Sequence, residues 1–510
     1  MPVMYGLMFV ALVLCRDHRG YRRGTLLSYV LQLAERCPSM TKRQTMEIPE
    51  FNLRQGDAPW PDRHAEGKAL RSKVPRESFA AWKAPSNRRD PVKTLGASNK
   101  GRQSQFVPLR MGRMSASPFA FLRGAACVMA GDLAVGPASG IDVIIDGDAH
   151  LNNFGMYGTP QREIIFDLND FDETTRGPWE WDLKRLVASV NVAARENGMN
   201  RKDRHVAVMD CVRGYRMNAT RLESFGILDT WYLHAYPGRA NPLVKDVDPK
   251  AQAVVDKCMV KARRSDNHAL LAKITVRQTD GAWRFREDPP ILTKVSHKVR
   301  EAVIDGLDLA STTLLRERRV MLSRYHVADV CHRVVGVGSV GTRAYLVLLF
   351  GSSEDDPLFL QVKEAVEPAH APYLPAIPEE FRHNGKRVVL GQRVLQASSD
   401  VMLAYTQIDG RDFFVRQMKN LKASIPVEWL TGAAFNFYAL ACGAILARAH
   451  ARGGDAARIA GYCGNSTILD EALAQWAESY GDQTVEDHAA LREAIEKGTV
   501  EADVSEVDTD

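Results

Sequence analysis

Residues 331–425 interrupt a mostly helical sequence with a block of strand patterns, and this limits the folds open to the chain. The block contains RVVGVGSVGTRAYLVLLFG, PLFLQVKEA and DVMLAYTQIDGRDFFVRQM, which are rich in β-branched and aromatic residues. Helical periodicity precedes the block and returns from about residue 427 in GAAFNFYALACGAILARAHARGG. A chain of 510 residues also exceeds one compact core. We therefore predict an α+β protein with a strand-rich lobe and a mainly helical lobe.

Composition and charge exclude several classes of protein. Apolar residues make up 45% of the chain and charged residues 25%, which is ordinary for a globular protein and unlike a disordered chain or a membrane bundle. The formal net charge of +5 is small for this length, so we expect no nucleic-acid partner. The apolar run near the N-terminus, of about 13 residues, is too short to span a bilayer, so we expect no membrane partner.

The eight cysteines are scattered, with no CxxC spacing and no clustering with histidine. This pattern argues against a zinc site. It is typical of buried, reduced thiols, so we predict a cytoplasmic protein. The sequence leaves the oligomeric state open.

Two short polar stretches follow apolar segments that we predict to be strands. Asp148 and Asn153 follow IDVII, and Asp170 follows REIIF. Turn residues separate the two strands, so we expect them to pair or lie side by side, with these oxygens converging on one divalent cation. Magnesium commonly takes one or two protein carboxylates or amides beside phosphate oxygens. The pattern favours phosphoryl transfer, with Asp148 facing an incoming hydroxyl, over simple turn and capping roles.

Three neighbouring side chains have secondary roles in this interpretation. Asp172 is a reserve metal ligand, and Asp167 could replace Asp170 if the second strand ends earlier. His150 is a candidate catalytic residue, although a lone loop histidine more often braces its loop than transfers protons.

A glycine-rich turn and a strand lysine follow in the strand-rich block. GVGSVG fits the GxGxxG pattern with Gly336, Gly338 and Gly341. A dinucleotide-binding fold requires a helix directly after the glycines, but the strand-forming TRAYLVLLFG follows, as in the phosphate-covering loop of kinases. The alternative is an ordinary glycine hairpin. Lys363 in LFLQVKEA needs an anionic partner if it is buried, or it faces solvent at a sheet edge.

These motifs resemble those of aminoglycoside-phosphotransferase-like and protein-kinase-like enzymes, whose catalytic loop reads HGD-x-H-x-x-N. The resemblance implies that Asp148 is the catalytic Asp and that Asn153 and Asp170 bind metal. It also implies that Lys363 contacts the α- and β-phosphates of ATP.

The resemblance extends to three further positions and fails at one. Asp182 in EWDLKRL matches the buried helix Asp that supports the catalytic loop. Backbone groups near Gln417 and Met418, in the linker between the lobes, would read adenine. Asp146 stands where the phosphotransferases have His.

The order of the motifs differs from that of ordinary kinases, because the catalytic loop precedes the glycine loop and the lysine. The segment ALACGAILARAHARGGD resembles the helix that normally leads into the catalytic loop, yet it lies near the C-terminus. A circular permutation with its cut between these two segments explains the order. The usual Glu partner of the lysine is not evident, and the candidates are Glu364, Glu379, Glu380 and Gln392.

The resemblance gives each part of the chain an expected role. We predict an irregular N-terminal extension over residues 1–75 and a helical catalytic lobe, with the catalytic loop and a metal-binding strand, over residues 76–330. A nucleotide-binding lobe follows over residues 331–425, and C-terminal helices over residues 426–510 complete the helical lobe.

From about residue 60 the chain also resembles the bacterial family called domain of unknown function 2252. The resemblance is carried by SPFAFLRGAA, GDAHLNNFG, NDFDETTRGPWEWDLKRL, GQRVLQ and LARAHARGGD. That family is grouped with kinase-like folds, and its substrate is not established.

The leading hypothesis is a magnesium-dependent, ATP-using phosphotransferase that acts on an unknown small-molecule or protein acceptor. One alternative is a nucleotide-binding regulator without catalysis, which the missing Glu partner favours. Another is an AMP-transferring enzyme on the same scaffold. Arg123 and Arg185 are candidate contacts for an acidic substrate, with salt bridges inside the helical lobe as the alternative.

Overall fold

The computed structural model describes residues 56–237, 249–334, 336–376, 382–418 and 420–504. The predicted irregular extension lies mainly outside these ranges, but its described end contains the helix Trp60–Leu70. That part of the prediction is corrected. The apolar residues of this helix are not periodic, so the sequence gave no sign of it. The helix is stabilised by packing against Ala456–Cys463, where Gly67 lies directly against the backbone of Arg458.

Helices form the larger share of the described residues. Up to residue 322 they are α1 (Trp60–Leu70), α2 (Pro91–Ser98), α3 (Val107–Ser115), α4 (Pro118–Gly124), α5 (Ala126–Ala134), α6 (Trp179–Glu196), α7 (Arg201–Leu222), α8 (Ile227–Trp231), α9 (Pro249–Arg263), α10 (Asn267–Ile274), α11 (His297–Ser311) and α12 (Arg316–Leu322). Beyond residue 383 they are α13 (Asn384–Leu395), α14 (Gly432–Gly453), α15 (Ala456–Cys463) and α16 (Ile468–Glu496).

The strands pair in antiparallel fashion throughout the described residues. They are β1 (Asp142–Ile145), β2 (Phe154–Gly158), β3 (Ile164–Leu168), β4 (Thr175–Pro178), β5 (Thr275–Arg277), β6 (Trp283–Phe285), β7 (Leu292–Lys294), β8 (His326–Arg333), β9 (Ala344–Phe350), β10 (Pro357–Glu364), β11 (Ala404–Ile408), β12 (Arg411–Gln417) and β13 (Ala423–Ser424). The sheet orders are β11-β12-β10-β9-β8-β7, β13-β2-β3, β1-β4 and β5-β6. The protein is therefore of the α+β class, as the sequence predicts.

Local sequence signals explain where several elements begin. Asp90 caps α2 by accepting hydrogen bonds from two N–H groups of its first turn. Ser117 caps α4, and Pro118 occupies its first turn, where a missing N–H costs nothing. Gly281, with φ +83°, forms the turn of the β5–β6 hairpin that the Asp-Gly pair indicates.

The strands that carry the polar motifs do not pair with each other, contrary to expectation. β1 pairs with β4, and β3 pairs with β2, which lies in the supposed turn sequence NNFGMYGTPQ. β2 is a strand because tertiary contacts supply partners on both of its edges, β3 on one and β13 on the other. The loops after β1 and β3 still meet, since the Asn169 N–H donates to the Asn153 carbonyl oxygen at 2.8 Å.

The six-stranded sheet begins earlier in the chain than the predicted strand-rich block. It includes β7, and β8 begins at His326, so the structural boundary precedes the predicted one at residue 330. Helix α11 covers one face of the sheet through Val303. Helix α10 and the β5–β6 hairpin cover part of the other face through Leu270 and Phe285.

Strand β10 lies inside this sheet, between β9 and β12. All of its residues are buried, including Lys363, which pairs in register with Ala344 and Phe414. The solvent-facing edge position that the sequence left open for Lys363 is therefore excluded.

Helix α14 lies at the centre of the helical part and packs along α7. Among the described residues it is the one helix long and apolar enough to cross a membrane, and 67% of its apolar window is buried inside the protein. Such burial is typical of a core helix in a soluble protein. The described cysteines are free thiols, as expected, and all except Cys127 are buried.

Candidate active site

The loop from Asp146 to Asn153 follows β1 and is held by the first turn of α6. Asp182 in that turn accepts hydrogen bonds from the N–H groups of Asp146 at 2.6 Å and Gly147 at 2.8 Å. Gly147 has φ +81°, and a Cβ there would lie 2.2 Å from the Glu173 carbonyl oxygen, so this position requires glycine. The backbone path of the loop is therefore fixed by Asp182, which has the supporting position that the sequence comparison implied.

Asp148 projects from this loop and contacts α6. Arg185 Nε donates to Asp148 Oδ1 at 2.7 Å, and the Asp148 side chain remains 19% exposed. Burial raises the pKa of Asp148 to about 7, although Arg185 opposes the effect. A carboxylate that titrates near neutral pH can accept a proton from a hydroxyl group.

His150 is buried beside Asp148, with its Nε2 3.7 Å from Asp148 Oδ2. Burial lowers the pKa of His150 well below its usual value, and the charges of Arg123 and Arg185 act in the same direction. The imidazole is therefore neutral. Its Nδ1 makes no hydrogen bond to any described residue, while its backbone N–H donates to the Asp148 carbonyl oxygen at 2.7 Å. These contacts fit a residue that braces the loop.

Asn153 ends the short 3-10 turn Leu151–Asn153. Its Nδ2 donates to the carbonyl oxygen of Asp148 at 2.7 Å, which fixes the amide plane. With the nitrogen engaged, the amide oxygen is the atom that could bind a cation.

Lys363, on strand β10 of the six-stranded sheet, contacts the acidic loops. Its ammonium contacts the Asp172 carboxylate and lies 3.9 Å from Asp170 Oδ2. Against the effect of burial, Lys363 and then Arg416 lower the pKa of Asp170 to about 2. Burial and the adjacent Asp170 carboxylate raise the pKa of Asp172. The neighbouring cations therefore favour the charged form of Asp170, whereas burial and Asp170 itself disfavour the charged form of Asp172.

No Glu partner of Lys363 is found among the described residues. Glu364 instead accepts from Arg343 and Arg411 at 3.1 and 3.0 Å. Gln392 donates to Gln396 at 2.8 Å. The other two candidates, Glu379 and Glu380, lie outside the described residues.

The glycine-rich turn between β8 and β9 faces the same acidic loops. Gly336 and Gly338 line a cavity there, and Ser339 Oγ donates to Asp172 Oδ2 at 3.2 Å. Gly341, with φ +87°, does not line the cavity and packs against Arg102 instead. Two of the three predicted glycines therefore lie where they could approach a ligand.

The N–H groups of Gln417 and Met418, near which the sequence predicts an adenine-reading site, donate to other groups of the chain. The Gln417 N–H donates to the Asp400 carboxylate at 2.5 Å, and the Met418 N–H donates to the Phe359 carbonyl oxygen at 2.9 Å. Neither residue lines the cavity. Helix α10 packs on one face of this sheet through Leu270 and Leu271.

The cavity has a volume of about 560 Å³ and walls of opposite charge. One wall, the acidic wall, is formed by Asp148, Asp170, Asp172 and Glu173. Basic residues from the segments before β1 also line the cavity, and we call Arg102, Arg110 and Arg123 the basic wall. The cavity therefore contains groups that could contact a cation and groups that could contact an anion.

No group of three or more His, Cys, Asp or Glu side chains in the described part of the chain is arranged to hold a metal ion. The predicted set is of another kind, one amide and two carboxylates, namely Asn153, Asp170 and Asp172. Asp172 Oδ1 is buried and accepts no hydrogen bond from the described residues. Few oxygen ligands of this type suffice for Mg²⁺ when phosphate oxygens complete its shell, so the residues present fit such an ion.

A model of one protein family matches residues 102–494. The matched segment includes the acidic loops, the glycine turn, Lys363 and the whole basic wall. The chain belongs to the DUF2252 family. That family is described as uncharacterized protein conserved in bacteria. Comparison of the DUF2252 chain with curated proteins and with solved structures gave no match.

The residues of the DUF2252 cavity that sequence reasoning missed include Arg102 and Arg110. Both lie in segments without a recognisable motif, and a surface arginine and a buried one look alike in a sequence. Arg123 was considered as a contact for an acidic substrate, and it does line the cavity. Arg185 is paired with Asp148, which is the salt bridge that the alternative interpretation expected.

Proposed function

We propose that this DUF2252 protein is a cytoplasmic, kinase-like phosphotransferase that uses ATP and Mg²⁺ and acts on a small-molecule or protein acceptor. One observation carries the proposal: Lys363 contacts Asp172, although 191 residues separate them in the chain. A buried lysine beside two carboxylates and under a glycine-rich turn suits phosphoryl transfer, whose transition state requires positioning and charge neutralisation.

The order of the motifs is accounted for by a circularly permuted kinase-like fold, with the cut between α14 and the loop after β1. A contact across this cut supports the inference. His450, near the end of α14, lies with Nε2 3.1 Å from Asp182 Oδ2, and Asp182 holds the catalytic loop. Permutation preserves such contacts while it moves the chain ends.

In this proposal each wall of the cavity has one task. Asp148 accepts the proton of the acceptor hydroxyl, and Arg185 holds its carboxylate in place. Lys363 and the turn at Gly336 and Gly338 hold the phosphates of the donor. Mg²⁺, when bound by Asn153 and Asp170 with Asp172 in reserve, would neutralise phosphate charge.

A nucleotide-binding regulator without catalysis remains the second candidate, and a specific contact favours it. Asp172 already engages both Lys363 and Ser339, so the phosphate-binding groups are occupied by the chain itself. A transferase must open this contact to bind ATP, whereas a regulator could use it as its resting state.

Labelled nucleotide separates the candidates. The protein would be incubated with Mg²⁺ and ATP labelled at either the α- or the γ-phosphate. GTP would be the competitor, because no base-reading group is identified among the residues that the structure describes. Transfer of the γ-label to an acceptor other than water, with release of ADP, supports the phosphotransferase; transfer of the α-label, with release of pyrophosphate, indicates AMP transfer; and retention of intact ATP indicates a regulator. Failure to bind any nucleotide with Mg²⁺ contradicts all three.

The variant Asp170→Asn tests the metal assignment within the same experiment. We expect it to lower magnesium-dependent binding or turnover at least 100-fold while the thermal midpoint changes little, because Asp172 still pairs with Lys363. Asp305→Asn, on the exposed surface of α11, is the matched control. Full turnover by Asp170→Asn would remove the assignment.

A further inference from the structure

Arg102 and Arg110 are guanidinium groups of the basic wall that have no carboxylate within 4 Å among the described residues. Arg110 is only 1% exposed, and it donates to Asn99 Oδ1 at 2.8 Å and to the Gly124 carbonyl oxygen at 2.9 Å. Its Nε has no hydrogen-bond partner in the described chain. Arg102 donates to the carbonyl oxygens of Ser98 at 3.2 Å and Val340 at 2.6 Å.

Several other buried arginines of this protein are paired with carboxylates. Arg88 contacts Asp132 and Asp487, Arg216 contacts Asp470, and Arg448 contacts Asp167. Arg387 resembles the pair in the basic wall, since it donates mainly to carbonyl oxygens, but it does not line the cavity. Arg102 and Arg110 therefore differ from these four arginines in two respects together: they have no carboxylate partner among the described residues, and they line the cavity.

The position of the pair relates it to the proposed catalytic residue. Burial lowers the pKa of Arg110 to about 9, and the charge of Arg102 adds to the effect. The Glu173 carboxylate attracts both arginines, and it also acts on the charge of Asp148. Both arginines and Asp148 line the same cavity of about 560 Å³. A small molecule could therefore reach from the arginines to Asp148.

We propose that the acceptor is a small anionic molecule whose carboxylate or phosphate group is bound by Arg102 and Arg110, with its hydroxyl directed toward Asp148. Two guanidinium groups that line a cavity suit an oxyanion, because each keeps N–H groups that no described residue accepts, and an N–H bond from a charged donor to an anionic oxygen is strong. The role of the bound molecule as acceptor rests on the proposed function. The anion site itself can be tested without any nucleotide.

The test is a calorimetric titration of the full-length protein with inorganic phosphate and, separately, with malonate, in the absence of ATP. We expect at least one of the two anions to bind, and we expect Arg102→Gln and Arg110→Gln to weaken that binding at least tenfold. Lys100→Gln, an exposed residue at the cavity mouth, is the matched control. If Arg110→Gln does not fold, Arg102→Gln decides, because Arg102 is less buried.

One further variant separates this site from the groups that would hold the phosphates of the donor. Lys363→Met should lower the anion affinity less than Arg102→Gln does, because Lys363 does not belong to the basic wall. Binding that disappears in Lys363→Met, binding that survives in Arg102→Gln, or no binding of either anion by the wild type would overturn the proposal. Anion binding without transfer of label from ATP would leave the site in place and contradict the proposed function instead.

Discussion

Lys363 is the residue on which the acidic wall of the cavity depends. It is 2% exposed, it contacts Asp172, and it lies 3.9 Å from Asp170. In this structure the lysine supplies the positive charge that two adjacent carboxylates require. A bound cation would supply the same charge, so lysine and metal can substitute for one another in stabilising the site.

The variant Lys363→Met should make stability depend on a metal. Without the ammonium, Asp170 and Asp172 repel each other, and we expect a loss of about 1–3 kcal/mol in chelator. Adding Mg²⁺ should raise the thermal midpoint of this variant more than that of the wild type, as measured by calorimetry. Lys257→Met, on the exposed surface of α9, controls for the substitution. Equal magnesium effects on variant and wild type would argue against a cation site at these carboxylates.

Glu180 in the first turn of α6 should give the protein a measurable pH dependence. Its side chain is buried and accepts the Ser139 N–H at 2.7 Å, and burial raises its pKa from 4.5 to about 7. Between these values the folded protein keeps a proton that the unfolded chain loses, so this group makes stability fall as pH rises. The free energy of unfolding of Glu180→Gln, relative to that of the wild type, should therefore rise by on the order of 3 kcal/mol between pH 4.5 and pH 7.5. Denaturant unfolding at both pH values measures this change, and parallel profiles would contradict it.

Elements with a local signal were predictable, and elements that depend on distant partners were not. The start of α4 at Ser117 and the hairpin at Gly281 follow from their own residues. Strand β2 contains two glycines and has the sequence of a turn, and it is a strand because β3 and β13 pair with it.

In the candidate site, Asp148 and Lys363 were predicted from motifs and from the residues around them. The basic wall was missed at Arg102, because its burial arises only when the helices before β1 pack near the glycine turn.

Helices α7 and α14 pack closely at Gly443, which has no side chain. A Cβ at Gly443 would lie 2.1 Å from the Cys211 carbonyl oxygen, closer than any real contact. We expect Gly443→Ala to destabilise the protein by roughly 3 kcal/mol or more, because two helix backbones would have to separate. Gly96→Ala, in α2, meets no atom within 4 Å and should stabilise by up to about 1 kcal/mol. Denaturant unfolding of the two variants checks the contrast, and similar changes in both would contradict it.

At the scale of the whole molecule, the two ends of the described chain belong to one core. A single hydrophobic cluster contains buried residues from Phe79 to Tyr480. Helix α16 packs against α6 and α7, and Trp82 stacks edge-on against Tyr480 with ring centroids 4.9 Å apart. The helical part therefore contains segments that precede the six-stranded sheet in the sequence and segments that follow it. Helix α16 is thus needed to cover the apolar surface of α6 and α7.

Removal of α16 should therefore prevent folding of the helical part, including the loop that carries Asp148. We expect a chain that ends at Thr467 to lack a cooperative unfolding transition, because α6 and α7 lose the apolar surface that covers them. Trp476→Ala should cost about 3–5 kcal/mol, since this side chain is 2% exposed and lies beneath the Lys184 ammonium. Gln475→Ala, the exposed neighbour, should change the unfolding free energy by less than about 0.5 kcal/mol. Calorimetry of the three proteins tests this, and a cooperative transition in the shortened chain would show that α16 is an appendage to an otherwise self-sufficient core.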